Sequence, residues 1–395
     1  MGLQSPPLQN QCGAPPWLVP RAAYLHIPFC AHKCGYCDFA SVAGHDDLAD
    51  AYLEALGTEI SRSLASKVAV DTIFVGGGTP TRLTASQLET FCRMVHRHFE
   101  LSAGYEWTIE ANPGTLDETK LQVLTDHGVN RISLGAQSFN SQALAALERN
   151  HNPADVFRCV ELLGNAGMAW SLDLIFAAPG TGLDVWRNDL QTVLTLKPRH
   201  LSCYGLIYEK GTALWKQLQA GAVAQVDEEI EATMYEETIE TLAAEGLEQY
   251  EISNYAVGGA ECRHNLVYWA NDAYYGFGLG AARYIDGLRA TNIRDLPAYI
   301  KRINDGLDVT GPSERLTAEE RARETATLMI RRVKTGLSRS DFQWRTGFSI
   351  DTLAKPAILK HLAGGLVDDD GLMIRLTRQG VMLGDLVASD FLGES

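Results

Sequence analysis

Cys30, Cys34 and Cys37 stand in the run Tyr24-Leu-His-Ile-Pro-Phe-Cys-Ala-His-Lys-Cys-Gly-Tyr-Cys-Asp-Phe39. Thiolates this closely spaced suit a metal ion or an iron–sulfur cluster, and either one wants four ligands where this loop offers three. A [4Fe–4S] cluster held by three cysteines keeps one iron open for a small molecule, so the loop reads as a reactive cofactor site rather than a structural staple. His26 and His32 flank the cysteines, which leaves a Cys₃His zinc site as the alternative. The other cysteines, Cys12, Cys92, Cys159, Cys203 and Cys262, suit buried small hydrophobes.

The elements that must position this loop alternate regularly. Strands are expected at Ala22–Ile27, Thr72–Val75, Trp107–Glu110, Arg131–Leu134, Ser171–Ile175 and His200–Tyr204, each a mostly apolar run of the kind buried on both faces. Helices are expected near Asp46–Ser66, Ala85–Phe99, Asp117–His127, Ser141–Glu148, Pro153–Ala166 and Asp184–Leu194. Repeated βα units imply a parallel sheet with helices outside, and six units make an incomplete barrel. The Cys loop follows the first strand, Gly76-Gly77-Gly78-Thr79-Pro80 the second, Glu110-Ala-Asn112-Pro113 the third, and Gly135-Ala-Gln137-Ser138 the fourth, with Asp173 inside the fifth. C-terminal strand ends form the active face of parallel α/β folds, so these scattered features should converge. Taken singly, each has a plainer reading: the glycines as a turn, Glu110 as a capping acid, Gln137 and Asp173 as satisfied polar groups.

The bulk properties exclude several classes. A net charge of −15 over 395 residues argues against nucleic acid or anionic lipid as partner. No apolar run reaches a membrane span of roughly 18–20 residues, Gln4 to Pro20 is unlike a secretory leader, and Pro6 breaks a myristoylation signal. The expectation is a soluble cytoplasmic protein with reduced cysteines.

Residues 1–21 read as an irregular lead-in, 22–225 as the barrel, 226–310 as its extension, and 311–395 as a separate C-terminal module. Asp227–Glu245 reads as an acidic solvated helix, and a Gly- and Tyr-rich stretch runs from Asn271 to Gly280. A long helix is expected at Glu314–Lys334, then helices at Arg339–Thr346 and Ile350–His361, a Gly364-Gly365 turn and a Leu372–Leu376 strand, an order like a winged helix. From Gly311 onward Lys plus Arg number 12 and Asp plus Glu 12. A DNA reader shows a basic stripe, so this module reads as a packing or lid element.

Together the Cys-x₃-Cys-x₂-Cys loop, Gly-Gly-Gly-Thr-Pro-Thr, Glu-Ala-Asn-Pro and Arg131-x-Ser133-x-Gly135-x-Gln137 resemble the radical S-adenosylmethionine (SAM) superfamily, and within it the oxygen-independent coproporphyrinogen III oxidase-like family. The likeness runs over residues 22 to 390. It implies a partial (β/α)₆ barrel with an α+β extension and a winged-helix-like domain. It implies that Cys30, Cys34 and Cys37 ligate a [4Fe–4S] cluster whose open iron takes the amine and carboxylate of SAM. Tyr24 and Tyr36 match positions touching the cluster or cofactor, and Gly77, Gly78 and Thr79 match the lining of its methionine portion. Glu110, Gln137, Arg149 and Asp173 match cofactor contacts, with Asp173 suited to the ribose hydroxyls, and Gly205 matches a backbone position near the adenine. Around strand five the family reads Asp-Leu-Ile-x-Gly-Leu-Pro, whereas this chain has Ala177-Ala178-Pro179.

Two features choose a branch. True oxidases of the family carry a further cysteine two positions after the third ligand and a longer N-terminal extension, whereas here Asp38 and Phe39 follow Cys37. His264-Asn-Leu-Val-Tyr268-Trp269 matches the His-Asn-x-x-Tyr-Trp signature of the haem-chaperone branch, HemW. That resemblance implies haem as cargo, with His264 as a candidate axial ligand and Tyr268 and Trp269 as a flat wall for the macrocycle. Cys262 is a lesser candidate ligand. The implied partners are apo-haemoproteins of respiratory assembly, membrane-associated enzymes included, reached without membrane insertion. The alternative is the oxidase, which decarboxylates two propionates of coproporphyrinogen III.

Overall fold

The computed structural model describes residues 17–393, so most of the expected lead-in, Cys12 included, lies outside the described residues. Six parallel strands follow in chain order: β1 (Ala22–Ile27), β2 (Val68–Gly77), β3 (Phe99–Ala111), β4 (Arg131–Gln137), β5 (Ala169–Phe176) and β6 (His200–Gly205). The helices between them are α1 (Ala49–Ser63), α2 (Ala85–His98), α3 (Glu118–Asp126), α4 (Ser141–Ala146), α5 (Pro153–Asn165) and α6 (Leu183–Thr195), and α7 (Ala213–Gln219) and α8 (Glu228–Ala244) follow β6. Sequence sets their starts. Thr84 and Gln87 form a reciprocal capping box on α2, and Asn152 and Asp155 form another on α5 with Pro153 in the first turn.

The barrel strands are not apolar on both faces. Outward residues such as Leu25, Ile73, Val75, Trp107, Ile109, Ile132, Leu134, Leu172, Leu174 and Leu201 are buried in one continuous core. Inward residues alternate with them and are polar: Thr108 and Glu110, Arg131 and Ser133, Ser171 and Asp173, His200 and Ser202. The period is the ordinary two of a strand. What differs from a packed barrel is that the interior encloses a polar cavity instead of a second apolar core.

A seventh parallel strand completes the arrangement. β7 (Glu248–Glu251) and β8 (Asn254–Ala256) extend the sheet antiparallel beyond β6. β9 (Tyr274–Phe277), from the Gly- and Tyr-rich stretch, lies parallel beside β1, and β10 (Ala282–Ile285), β11 (Leu288–Asn292) and β12 (Thr310–Arg315) follow antiparallel. The order is β12-β11-β10-β9-β1-β2-β3-β4-β5-β6-β8-β7 in one open twelve-stranded sheet.

The helix expected from Glu314 starts later. Thr310–Arg315 pairs with β11 and so carries the sheet past residue 310, and the helix runs Ala318–Ile330 behind a Thr317–Glu320 capping box. Likewise Ile350–His361 is broken into Ile350–Leu353 and Lys355–Ala363, where Pro356 enters the first turn of the second piece. A three-stranded sheet of Leu337–Ser338, Met373–Leu376 and Val367–Asp369 joins these helices around its own apolar cluster. No helix among the described residues is long and apolar enough to cross a membrane.

Candidate functional site

The Cys loop leaves β1 through Pro28 and is fixed at both ends. Phe29–Cys30 pairs with Val42–Ala43, and Val42 N donates to Pro28 O at 2.8 Å. Its middle is held by the helix Ala213–Gln219, since Leu214 N donates to Gly35 O at 2.8 Å. Cys30, Cys34 and Cys37 are free and half-buried. Among the described residues no three His, Cys, Asp or Glu side chains converge as a cup for one metal ion. His26 is tied to Tyr24 Oη and Ala40 O, both at 3.0 Å, and is not aimed at the cysteines.

Arg149 connects the loop to the strand ends. Its guanidinium donates to Cys34 Sγ at 3.6 Å, to Gly135 O at 2.8 Å and to Asn112 Oδ1, while Asn112 Nδ2 donates to Thr79 Oγ1 at 2.7 Å. Thr79 Oγ1 lies 3.9 Å from Cys30 Sγ. Asn112 is thus the hub between two expected contact residues, although nothing in its type set it apart from a turn residue before Pro113. Tyr36 is half-buried beside Arg149, and burial pushes its phenol upward against the guanidinium's opposite pull.

The glycine run needs its glycines. Gly77 has φ +117°, and a Cβ there would meet the His26 ring at 2.4 Å. One on Gly78 would meet Pro28 O at 2.5 Å. The bare backbone leaves Gly77 N free to donate to Glu110 Oε2 at 3.2 Å. Gln137 ends β4 at φ +62°, where the register with β5 shifts. Gly205 ends β6, and a Cβ on it would press Glu231 and the Phe176 ring.

Below this rim a cavity of about 200 Å³ runs down the barrel, lined from β1 to β6. Register places Tyr24 beside Phe74, Glu110 beside Ser133, and Asp173 beside Ser202. Ser133 donates to both carboxylate oxygens of Asp173, at 3.3 and 3.2 Å. Burial, with Asp173 close by, pushes Glu110 up to about 8 against the Gly77 hydrogen bond, and burial also raises Asp173. Desolvation favours the protonated form of both carboxyls, and a cation beside them favours the charged form. SAM carries such charge on its sulfonium and ammonium groups. His200 and Ser202 line this cavity unforeseen, beside Arg131 and Ser133 of the strand-four motif; the available signal was their two-residue spacing from recognised positions.

The His264–Trp269 motif forms most of a short helix, α9 (Arg263–Trp269). Its N-terminus is capped across the barrel by Glu106, which accepts from Arg263 N and His264 N, both at 3.1 Å. His264 is fully buried; Nδ1 bonds Thr72 Oγ1 and Nε2 bonds Tyr268 Oη, each at 2.9 Å. Burial lowers its pKa to about 3. Burial favours the neutral imidazole, and both ring nitrogens are hydrogen-bonded in this structure. Trp269 does not stack beside Tyr268: its ring takes the Arg331 guanidinium at 5.0 Å, whereas Tyr268 packs on Tyr274 at 4.7 Å. The flat wall expected of this pair does not form, because adjacent helical residues point about 100° apart. Cys262 is buried next to Glu106, and burial raises its thiol to about 12.

Residues 24–192 match the Radical SAM superfamily, and residues 316–383 match the HemN C-terminal domain. The haem chaperone HemW of Bacillus subtilis is 39% identical over 379 residues, covering 95% of this chain and 100% of that protein. The chain belongs to the HemW family. The Escherichia coli haem chaperone HemW is 36% identical over 70% of this chain and 75% of its own. Radical S-adenosyl methionine domain-containing protein 1, mitochondrial, of Danio rerio is 30% identical over 96% and 88%. The structure of coproporphyrinogen III oxidase (HemN) from Escherichia coli superposes with a TM-score of 0.84 at 22% identity, over 95% of this chain and 91% of that one. That likeness shows a shared fold. Membership of the radical SAM superfamily brings with it a [4Fe–4S] cluster and SAM.

Proposed function

We propose that this protein is a cytoplasmic haem chaperone that binds haem and passes it to apo-haemoproteins, respiratory enzymes among them. The supporting observation is the likeness to haem chaperones along the whole chain, barrel and C-terminal module together. Cys30, Cys34 and Cys37 would hold the cluster, and SAM would lie between the Gly77–Thr79 backbone, Glu110, Gln137, Arg149, Asp173 and Gly205, with Tyr24 and Tyr36 at its edge. When bound, the cluster supplies one electron at the sulfonium; whether that chemistry is used is separate from carrying haem. The residues' own task is orientation and charge. Arg149 and Asn112 brace the Cys loop against β3 and β4, Glu110 and Asp173 offer carboxylates to a cationic ligand, and the apolar shell outside the strands keeps bulk water out.

The test is a pair of assays on anaerobically reconstituted protein. Haem-loaded protein should restore activity to an apo-haemoprotein, while coproporphyrinogen III with SAM and reductant should stay unconverted. Efficient formation of protoporphyrinogen would replace the chaperone reading with the oxidase one.

A further inference from the structure

The outer side of the Cys loop meets a residue whose backbone its type does not favour. Glu148 follows α4 at φ +54°, in the left-handed region where a Cβ is costly. Its N–H donates to Ala145 O at 3.0 Å and that of Arg149 to Leu144 O at 2.9 Å, the bond pair of a Schellman close. Helices α3, α5, α7 and α8 end on the same pair of bonds, with Gly128, Gly167, Gly221 and Gly246 as the left-handed residue. Helix α9 ends on it with Asn271, the next most tolerant type. Glycine would serve the backbone at position 148 as well. What glycine lacks is the carboxylate.

That carboxylate reaches three places around Cys34. His32 Nε2, two residues before the cysteine, donates to Oε2 at 3.4 Å. Gln217 Nε2 on α7 donates to Oε1 at 3.3 Å. Gly35, the residue after Cys34, turns its bare face to the same group, and a Cβ there would come within 2.9 Å of Glu148 Cδ. The next residue of the turn, Arg149, works from the other side, where its guanidinium donates to Cys34 Sγ at 3.6 Å. Consecutive residues of one helix end thus hold the Cys34 segment by two different routes.

We propose that Glu148 is a positioning residue for the cluster loop. Its strained backbone is kept because the carboxylate fixes His32 and Gly35, and through them Cys34. This rests on the reading that Cys34 ligates the cluster.

The experiment compares wild type, Glu148→Gly and Glu148→Gln as full chains reconstituted anaerobically. It reads the urea midpoint of each apo-protein and the rate at which an iron chelator bleaches each cluster. Glu148→Gly removes strain and brace together. Its apo-protein should unfold at an equal or higher urea concentration than wild type. Its iron should nevertheless leave about fivefold faster, the ratio that one net hydrogen bond supplies. Glu148→Gln keeps the length and an acceptor for both donors. Its release rate should stay within about twofold of wild type, because a half-exposed charge adds little to such contacts. A cap that only stabilises the fold would move midpoint and release rate together. Unchanged release in Glu148→Gly, release that quickens in step with a lower midpoint, or equal release in the two variants would overturn the brace. A Cys34→Ser protein that still assembles the full cluster would instead remove the ligand reading beneath it.

Discussion

Replacing Glu110 with glutamine should change how the stability of the ligand-free protein depends on pH. Glu110 lines the polar cavity near Asp173, half-buried, and accepts one hydrogen bond, from Gly77 N. Its pKa rises from 4.5 to about 8. The sign follows from proton counting. Between pH 4.5 and about 8 the folded protein keeps a proton that the unfolded chain has released, so stability falls as pH rises through that window. At about 1.36 kcal/mol per pH unit the whole effect is on the order of 5 kcal/mol. Glutamine keeps the shape and an acceptor for Gly77 N but does not titrate. In urea unfolding of apo-protein between pH 5 and 9, wild type should lose stability with rising pH, and Glu110→Gln should lose less by a few kcal/mol. A constant difference between the two proteins across that range would refute the argument. Under the proposed function, a cationic ligand beside Glu110 draws off the proton. SAM binding near pH 7 should then release protons in wild type, measurable by calorimetry in buffers of different ionisation enthalpy.

Three further outcomes follow from the geometry. Cys34→Ser should prevent stable assembly of about four irons per chain on anaerobic reconstitution, measured by iron content and visible absorbance; full occupancy would remove Cys34 from the ligand set. Glu106→Ala should cost about 3–5 kcal/mol in urea unfolding, because it strands the buried Arg131 charge and two N–H groups of α9; a loss below about 1 kcal/mol would mean that water replaces the carboxylate. His264→Ala should cost about 1–3 kcal/mol by leaving Thr72 and Tyr268 without their partner, with the Soret spectrum unchanged; a lost haem band would show that the motif opens to release its imidazole.

Much of the barrel was legible because local rules and tertiary demand agree there. Ala22–Ile27 is a strand with the expected ends, and helices such as Ala85–His98 and Pro153–Asn165 start at side-chain caps. Agreement failed where a partner distant in sequence made the decision. Tyr274–Phe277 looks like a turn-rich stretch, yet it becomes a parallel strand because β1 offers it an unpaired edge. Thr310–Arg315 becomes an edge strand for the same reason, against β11. Ala177 stands where the family reads glycine, and its φ of +62° shows why glycine suits the position.

By itself the sequence determined which chemistry is present: three thiols in one loop, a glycine run after β2, and acids at strand ends whose parity aims them inward. Those follow from residue type and the two-residue period, which are local properties. Only the tertiary structure decided which of these groups are free to act. Asn112 and Arg149 tie the loop to the strand ends, and Thr72 with Tyr268 takes both nitrogens of His264. Hydrogen-bond satisfaction and charge pairing depend on partners such as Thr72, 192 residues from His264, so the chain alone does not show that both of its ring nitrogens are engaged.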